Sequence, residues 1–325
     1  MALPRALSRR HLLKLTAALP LAVATPAFAT PDKLSVVATT GMIADAAMVV
    51  GGDQVEVQTL MGPGVDPHAY RQTRTDIVAM NRADLVLWHG LYLEAQMEEL
   101  LLELAEKKPV VAVGETVAED KLIAHEDYDG RFDPHVWMVP ALWADVVRGV
   151  TAALSQAAPE NATTFEANAT TYIAELERLA DYTKTSLTTV PQEARVLLTA
   201  HDAFGYFGSD YGFEVMGIQG ISTESEAGLD RIAELVDMLV TRDISAVFVE
   251  SSVSDRNIKA LIEGAAAQGH QVKIGGELYS DAMGEPGTYE GTYLGMIDHN
   301  VTTIAGALGG QVPTGGMDGK LSAGG

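Results

Sequence analysis

The chain has 325 residues, a formal net charge of −22 at pH 7 and no cysteine. A surface this acidic repels nucleic acid and anionic membranes, so we exclude both as partners. A chain without thiols forms no disulfides, and its metal sites are not of the copper(I) or iron–sulfur type.

Residues 1–29 have the pattern of an export signal of the twin-arginine type. The segment Ser8-Arg9-Arg10-His11-Leu12-Leu13-Lys14 carries the paired arginines, and Ala27-Phe28-Ala29 fits a cleavage site. The apolar run between them is too short for a membrane span. Loss of this segment removes four basic residues and leaves a net charge near −26. We expect a soluble periplasmic protein without a lipid anchor, because lipidation at the cleavage point needs a cysteine.

Strand-like and helix-like segments alternate in the first half of the mature chain. The predicted strands are 34–39, 55–60, 84–88 and 109–113, and the predicted helices include 76–82 and 93–107. Strands that alternate with helices favour a parallel sheet with helices on both faces. We assign residues 30–158 to an N-terminal α/β lobe.

The segment that follows Pro159 predicts one long helix, which continues to about Leu187. Its apolar residues recur at steps of four and three, on one helix face: Phe165, Ala169, Tyr172, Leu176 and Leu179. At 1.5 Å per residue the helix would be roughly 40 Å long. We expect residues 159–188 to be a rigid link between two lobes.

A second alternating block follows the long helix. Its predicted strands are 195–199 and 246–250, and its predicted helices are 229–240 and 256–268. We assign residues 189–310 to a C-terminal α/β lobe, and we expect the glycine-rich residues 311–325 to be a disordered tail. The predicted fold class is therefore α/β, with two lobes of parallel sheet and flanking helices linked by one long helix.

Four potential metal ligands recur at wide, nearly equal intervals: His68, His135, His201 and Asp281. The first two end the same tripeptide, Asp-Pro-His, and Asp281 follows Tyr279-Ser280. Imidazole nitrogen and carboxylate oxygen are donors that borderline divalent metals accept. Because the spacing is too wide for one local metal loop, a shared site requires the fold to bring distant loops together.

Five motifs in order, with the long helix, resemble the cluster A-I metal-binding solute-binding proteins of ABC importers, the TroA, ZnuA and PsaA type. These motifs are Gly64–Tyr70, Ala83–Leu91, Asp133–Trp137, Ala200–Phe207 and Val249–Val253. The resemblance covers most of residues 33–309 and implies two lobes with one metal in the cleft. It implies that His68 and His135 bind from the first lobe, and that His201 and Asp281 bind from the second. The histidine at position 201 makes the chain most similar to the TroA-like members, whereas manganese members typically have glutamate there.

The chain also departs from the family pattern. His89 stands where asparagine is usual, and Val139 stands where an acidic residue commonly follows the second motif. Zinc relatives carry a histidine-rich loop where residues 115–131 are short and acidic, with only His125. We expect His89 to be a polar strand-end residue rather than a fifth ligand, and His125 either captures metal transiently or has no role. The other two histidines of the mature chain are expected to be structural: His270 and His299.

Several carboxylates lie near the candidate ligands. Asp66, Asp133 and Asp202 each lie within two residues of one, where they either orient an imidazole or cap a turn. Glu250 ends a predicted strand near the expected cleft. It either contributes to the site or pairs with a base such as Arg256.

No enzyme signature competes with a binding function. The chain has no Gly-x-Ser-x-Gly, no phosphate-binding glycine-rich loop and no His-Glu-x-x-His. Four protein ligands close a zinc site, whereas hydrolytic zinc enzymes keep one position open for water.

The resemblance implies a non-enzymatic, monomeric periplasmic receptor that captures one divalent transition metal and delivers it to an ABC import permease. The donor set favours Zn²⁺, and Mn²⁺ is possible. Two alternatives stay open at this point: a periplasmic zinc chaperone or buffer that acts without a permease, and a zinc-dependent hydrolase.

Overall fold

The computed structural model describes residues 33–125 and 128–322, so the predicted export signal at residues 1–29 lies outside the described residues. The first lobe has four strands: β1 (Leu34–Ala38), β2 (Val55–Thr59), β3 (Leu85–Trp88) and β4 (Val110–Ala112). Its helices are α1 (Gly41–Gly51), α2 (Arg74–Arg82), α3 (Glu98–Ala105) and α4 (Pro140–Ala157). Within the described residues, no helix has both the length and the apolar character needed to cross a membrane.

The strands of the first lobe form one parallel sheet in the order β2-β1-β3-β4. Val36 of β1 pairs with Val57 of β2 on one side and with Leu85 of β3 on the other. The two central strands are almost entirely apolar and buried, because helices cover both faces of the sheet. The predicted parallel α/β lobe is confirmed.

The long helix α5 extends from Ala162 to Thr188, over 27 residues, after a 3₁₀ turn at Pro159–Asn161. The five apolar residues predicted to share one face are all buried. The helix contacts α1 and α4 of the first lobe and also helix α9 (Tyr293–Ala307) of the second. The prediction of two lobes linked by one long helix is therefore confirmed.

The second lobe has two parallel strand pairs. Its strands are β5 (Val196–Thr199), β6 (Glu214–Gly217), β7 (Ala246–Glu250) and β8 (Lys273–Leu278). Besides α9, its helices are α6 (Gly205–Tyr211), α7 (Leu229–Thr241) and α8 (Arg256–Ala267). Strand β5 pairs with β6, β7 pairs with β8, and β5 also contacts β7. The carboxyl ends of β5 and β7 consequently lie close together.

The hydrophobic core continues from one lobe into the other. One cluster of buried side chains includes Trp143 of α4, Phe165 of α5, Phe204 of the second lobe and Tyr293 of α9. A smaller cluster lies within the second lobe, beneath α7 and α8. The apolar contact between the lobes means that their separation would expose core side chains to water.

Helix α3 is shorter than the sequence suggests, since it begins at Glu98 rather than at residue 93. The reason is a left-handed turn after β3, in which Gly90, Leu91 and Tyr92 all have positive φ, at 78°, 52° and 70°. The fully buried Glu94 carboxylate accepts hydrogen bonds from the backbone N–H groups of His89 and Gly90. This carboxylate stabilises a backbone conformation that is costly for residues other than glycine.

The expectation of a disordered C-terminal tail is wrong for residues 311–322. The N–H of Met317 donates to the buried carboxylate of Asp298 in α9, and the N–H of Ser322 donates to Glu290. Gly316 has a φ of 80°, and a Cβ there would lie 2.5 Å from the Asp298 carboxylate oxygens. The glycine lets the backbone approach a buried anion, and composition alone does not reveal such an acceptor.

Candidate metal centre

Four distant loops converge on one buried cluster. The cluster consists of His68, His135, His201 and Asp281, whose potential ligand atoms all lie within 4.8 Å of one another. All four residues are buried, with exposed fractions of 3% or less. The structure therefore brings together the four residues that the sequence singles out.

The positions of these residues follow from the sheet topology. His201 and Asp281 lie just beyond the carboxyl ends of β5 and β8, and His68 lies in the turns after β2. Carboxyl ends of parallel strands are where open α/β sheets bind ligands. His135 instead comes from the loop before α4, where a bridge between Ala124 and Phe132 forms the base of a short hairpin.

The donor atoms face a common point. Nε2 of His135 lies 3.3 Å from Nε2 of His68 and 3.4 Å from Nε2 of His201. The Asp281 oxygens lie 3.4 Å from the His135 Nε2 and 3.2 Å from the His201 Nε2. A tetrahedral zinc site with bonds of about 2.0–2.1 Å has edges of about 3.3–3.4 Å. The spacing fits such an ion. In addition, Oδ1 of Asp281 is buried and accepts no hydrogen bond from the described residues.

Two of the imidazoles are oriented by carboxylates. Oδ1 of Asp133 accepts from both the backbone N–H and Nδ1 of His135, at 2.9 and 2.7 Å. Glu250, at the end of β7, accepts the backbone N–H of His201 at 2.8 Å and its Nδ1 at 2.5 Å. A proton held on Nδ1 leaves Nε2 as the nitrogen that faces the centre. Of the two roles expected for Glu250, the structure supports the one at the site.

Asp66 acts on the backbone rather than on an imidazole. Its Oδ1 accepts the N–H of His68 at 2.9 Å, which is the turn-capping role. Its Oδ2 accepts the hydroxyl of Thr223 at 2.5 Å, and Thr223 belongs to the second lobe. Asp66 thus connects the loop of one candidate ligand to the opposite side of the cleft.

Burial and neighbouring charge give the three imidazoles different pKa values. Burial opposes protonation of His135, but Asp133 and Asp281 outweigh it and raise the pKa of His135 to about 9. Burial is likewise outweighed at His201, where Asp281 and Glu250 raise the pKa well above its ordinary value. Burial dominates at His68 and lowers its pKa well below 6.5. Despite its burial, Asp281 has a pKa well below 3.8, because His201 and His135 stabilise the carboxylate.

The other described histidines lie outside this cluster. His89 is buried, which lowers its pKa to about 3, and its Nε2 donates to the carbonyl of Pro134 at 2.7 Å. It therefore supports the loop that carries His135. His125 is buried, and its ring packs 4.7 Å from that of Tyr128. The last two donate from Nε2 to backbone carbonyls, as the structural role expected for them requires: His270 and His299.

We expect Glu250→Gln to weaken metal binding by about 10- to 100-fold, the usual cost of removing a partner that orients a ligand. Glutamine offers one carbonyl oxygen to His201, so one of its two N–H groups loses its acceptor. Competition titration with a chelator measures the effect. Glu234→Gln, on the exposed face of α7, is the matched control. An unchanged affinity in Glu250→Gln would limit Glu250 to a role in folding.

Comparison with known proteins gives consistent matches over almost the whole described chain. The family model described as zinc-uptake complex component A, periplasmic (ZnuA), matches residues 36–307. The manganese-binding lipoprotein MntA of Bacillus subtilis is 50% identical over 277 residues, which is 85% of this chain and 90% of that protein. The zinc-binding protein TroA of Treponema pallidum is 45% identical over 280 residues, or 86% of this chain and 90% of that protein. The solved structure of that periplasmic zinc-binding protein superposes with a TM-score of 0.83, covering 85% of this chain and 99% of the other.

Proposed function

Because the chain belongs to the family of periplasmic zinc-uptake component A proteins, we propose that it is a solute-binding receptor that captures one divalent transition metal. It delivers this ion to an ABC import permease. The ion is cargo, and the work of the protein is selective binding and release.

The observation that carries this proposal is the convergence of four buried donors from both lobes. We propose that His68 and His135 bind the ion from the first lobe, and that His201 and Asp281 bind it from the second. Both lobes must then contribute before the ion is fully coordinated. A permease that contacts both lobes has a direct means of opening the site.

Similarity alone does not choose the metal, because one close relative is described as manganese-binding and another as zinc-binding. The donor set and its spacing favour zinc. Three imidazoles and one carboxylate at tetrahedral edge distances suit Zn²⁺, and the intrinsic order of affinities places zinc above manganese. We therefore propose Zn²⁺ as the preferred ion and Mn²⁺ as the second.

We also propose that the receptor has no catalytic activity. Four protein donors complete a tetrahedral shell, which leaves no position for an activated water. We propose further that it acts as a soluble periplasmic monomer, since the sequence has no cysteine to carry a lipid. The MntA relative is described as a lipoprotein, so this chain would differ from it in attachment.

Metal analysis of protein purified from its native periplasm, followed by competition titration with a chelator, tests the function. We expect one equivalent of zinc per chain and tighter binding of Zn²⁺ than of Mn²⁺. Protein that is isolated without metal and does not take up either ion in titration would contradict the proposal.

Zinc should stabilise the protein strongly without being needed for folding. An ion that binds only the folded state contributes about 4 kcal/mol at a thousandfold excess over its Kd. The melting temperature should therefore rise with zinc and return to the metal-free value when a chelator is added. The metal-free chain should still melt cooperatively, because the shared core does not depend on the ion. A chain that is unfolded without zinc would indicate a structural zinc domain instead.

A further inference from the structure

A tryptophan lies behind the cluster and touches a candidate ligand loop from each lobe. Trp137 follows His135 by two residues, in a 3₁₀ turn, and is fully buried. Its indole N–H donates to the carbonyl of Ser280 at 2.7 Å, and Ser280 directly precedes Asp281. Its ring centroid lies 5.1 Å from that of His135. One side chain thus contacts the first-lobe imidazole and fixes the second-lobe peptide.

Trp137 is itself held from the second lobe. The hydroxyl of Tyr293, the first residue of α9, donates to the Trp137 carbonyl at 2.8 Å. The Tyr293 ring stacks on Trp143 of α4, with centroids 5.1 Å apart and planes 15° from parallel. All three aromatic side chains are fully buried. A tryptophan with its ring, indole N–H and carbonyl all in contact has little freedom to move.

Asp281 needs this support more than the histidines do. His135 and His201 are each held through two N–H groups by a carboxylate. Within the described residues, the only hydrogen bond to the Asp281 side chain from its own lobe comes from the hydroxyl of Ser252, at 3.3 Å. Its position therefore depends chiefly on where its backbone is placed.

We propose that Trp137 is a positioning residue for the metal site, which holds the Ser280–Asp281 peptide in register with His135 across the two lobes. The inference rests on the proposed function, because it assumes that both residues bind the ion. Trp137 does not reach the metal; its indole N–H sets the separation between ligands from the two lobes. Loss of that N–H should loosen the ligand geometry while the core stays filled.

Trp137→Phe tests this inference, because phenylalanine keeps an aromatic ring beside His135 and removes the N–H. We expect zinc to bind about 10- to 100-fold more weakly, as is usual when a group that orients a ligand is lost. We also expect the visible absorption of the Co²⁺-loaded protein to change, because those bands report ligand geometry. The matched control is Trp143→Phe, an equal loss of volume in the same core, which should keep the wild-type affinity and spectrum.

The outcomes separate the inference from the function. A wild-type protein that binds neither Zn²⁺ nor Co²⁺ overturns the proposed function and the inference with it. If wild type binds while Trp137→Phe matches it in affinity and spectrum, the inference alone fails. Equal losses in the two tryptophan variants also overturn it, because the effect would then be one of packing.

A second variant covers the case in which Trp137→Phe does not fold. Tyr293→Phe removes the hydroxyl that holds the Trp137 carbonyl and keeps the stacked ring. We expect a smaller loss of zinc affinity and a Co²⁺ spectrum displaced from that of wild type. Wild-type values in both measurements would overturn the inference.

Discussion

His201→Ala should weaken zinc binding by more than about a hundredfold, because a lost ligand costs more than a lost orienting partner. His201 is the only imidazole that the second lobe contributes to the cluster. Without it, Asp281 alone would hold the ion from that side. Competition titration with a chelator measures the loss.

The same substitution should also destabilise the metal-free protein. His201 lies between Glu250 and Asp281, and all three side chains are fully buried. Removal of one partner from a buried ion pair typically costs about 3–5 kcal/mol, and proton uptake by the carboxylates would reduce that cost. Chemical denaturation in the presence of a chelator gives the free energy of unfolding.

Two further variants separate ligation from ion pairing. His68→Ala removes an imidazole whose pKa is lowered by burial, so it should lose zinc affinity with a smaller loss of stability. His270→Ala removes a histidine that bonds a backbone carbonyl elsewhere, and it should retain the wild-type affinity. If His201→Ala binds zinc as tightly as His270→Ala does, His201 is not a ligand.

The sequence predicts the candidate ligands better than it predicts their supports. His68 and His135 are marked by a repeated tripeptide, and strand ends place His201 and Asp281 near one sheet edge. Residue type and position along the chain are enough for such a prediction. The convergence itself is implied by the family resemblance, since the spacing of the residues does not establish it.

The supports depend on which side chains face each other after folding. Glu250 is 49 residues from His201, and Trp137 is 143 residues from Ser280, so no local pattern connects either pair. The clearest available signal for Trp137 is a large aromatic residue directly after a ligand motif. The sequence interpretation gave it no role, and it gave none to Tyr293.

The errors in the predicted fold have a similar cause. The periodicity of residues 93–107 suggests a helix, but Glu94 bonds backward to the backbone after β3 and stabilises a left-handed turn. The glycines of the tail suggest disorder, but Asp298 binds their backbone. In both places a buried carboxylate accepts main-chain N–H groups, and local propensity does not contain that information.

Zinc binding should release about two protons per ion at pH 7. Ordinary imidazoles, with a pKa of about 6.5, would lose affinity mainly between about pH 7 and pH 5. Here burial is outweighed by carboxylates, which raise the pKa of His135 to about 9 and that of His201 well above its ordinary value. Both rings hold protons at pH 7 in the metal-free protein, and zinc must displace them. His68 adds none, because its pKa is well below 6.5.

The sign and the pH window follow from these shifts. A raised pKa stabilises the protonated, metal-free site at every pH below it, so affinity rises with pH. With two protons displaced, the rise should be about a hundredfold per pH unit through neutrality, and it should level off only as pH approaches about 9. Calorimetry in buffers of different ionisation enthalpy counts the protons, and chelator competition from about pH 6 to 8 gives the slope.

Glu250→Gln provides the internal control for this prediction. Glutamine removes one of the two negative charges that raise the pKa of His201, while the Asp133 beside His135 is unchanged. The variant should therefore release fewer protons at pH 7 and show a shallower dependence on pH, although its affinity is lower overall. Wild-type protein that releases no protons and binds with the same affinity at pH 6 and pH 8 would show that the metal-free imidazoles are already neutral. In that case the paired carboxylates orient the rings without holding protons on them.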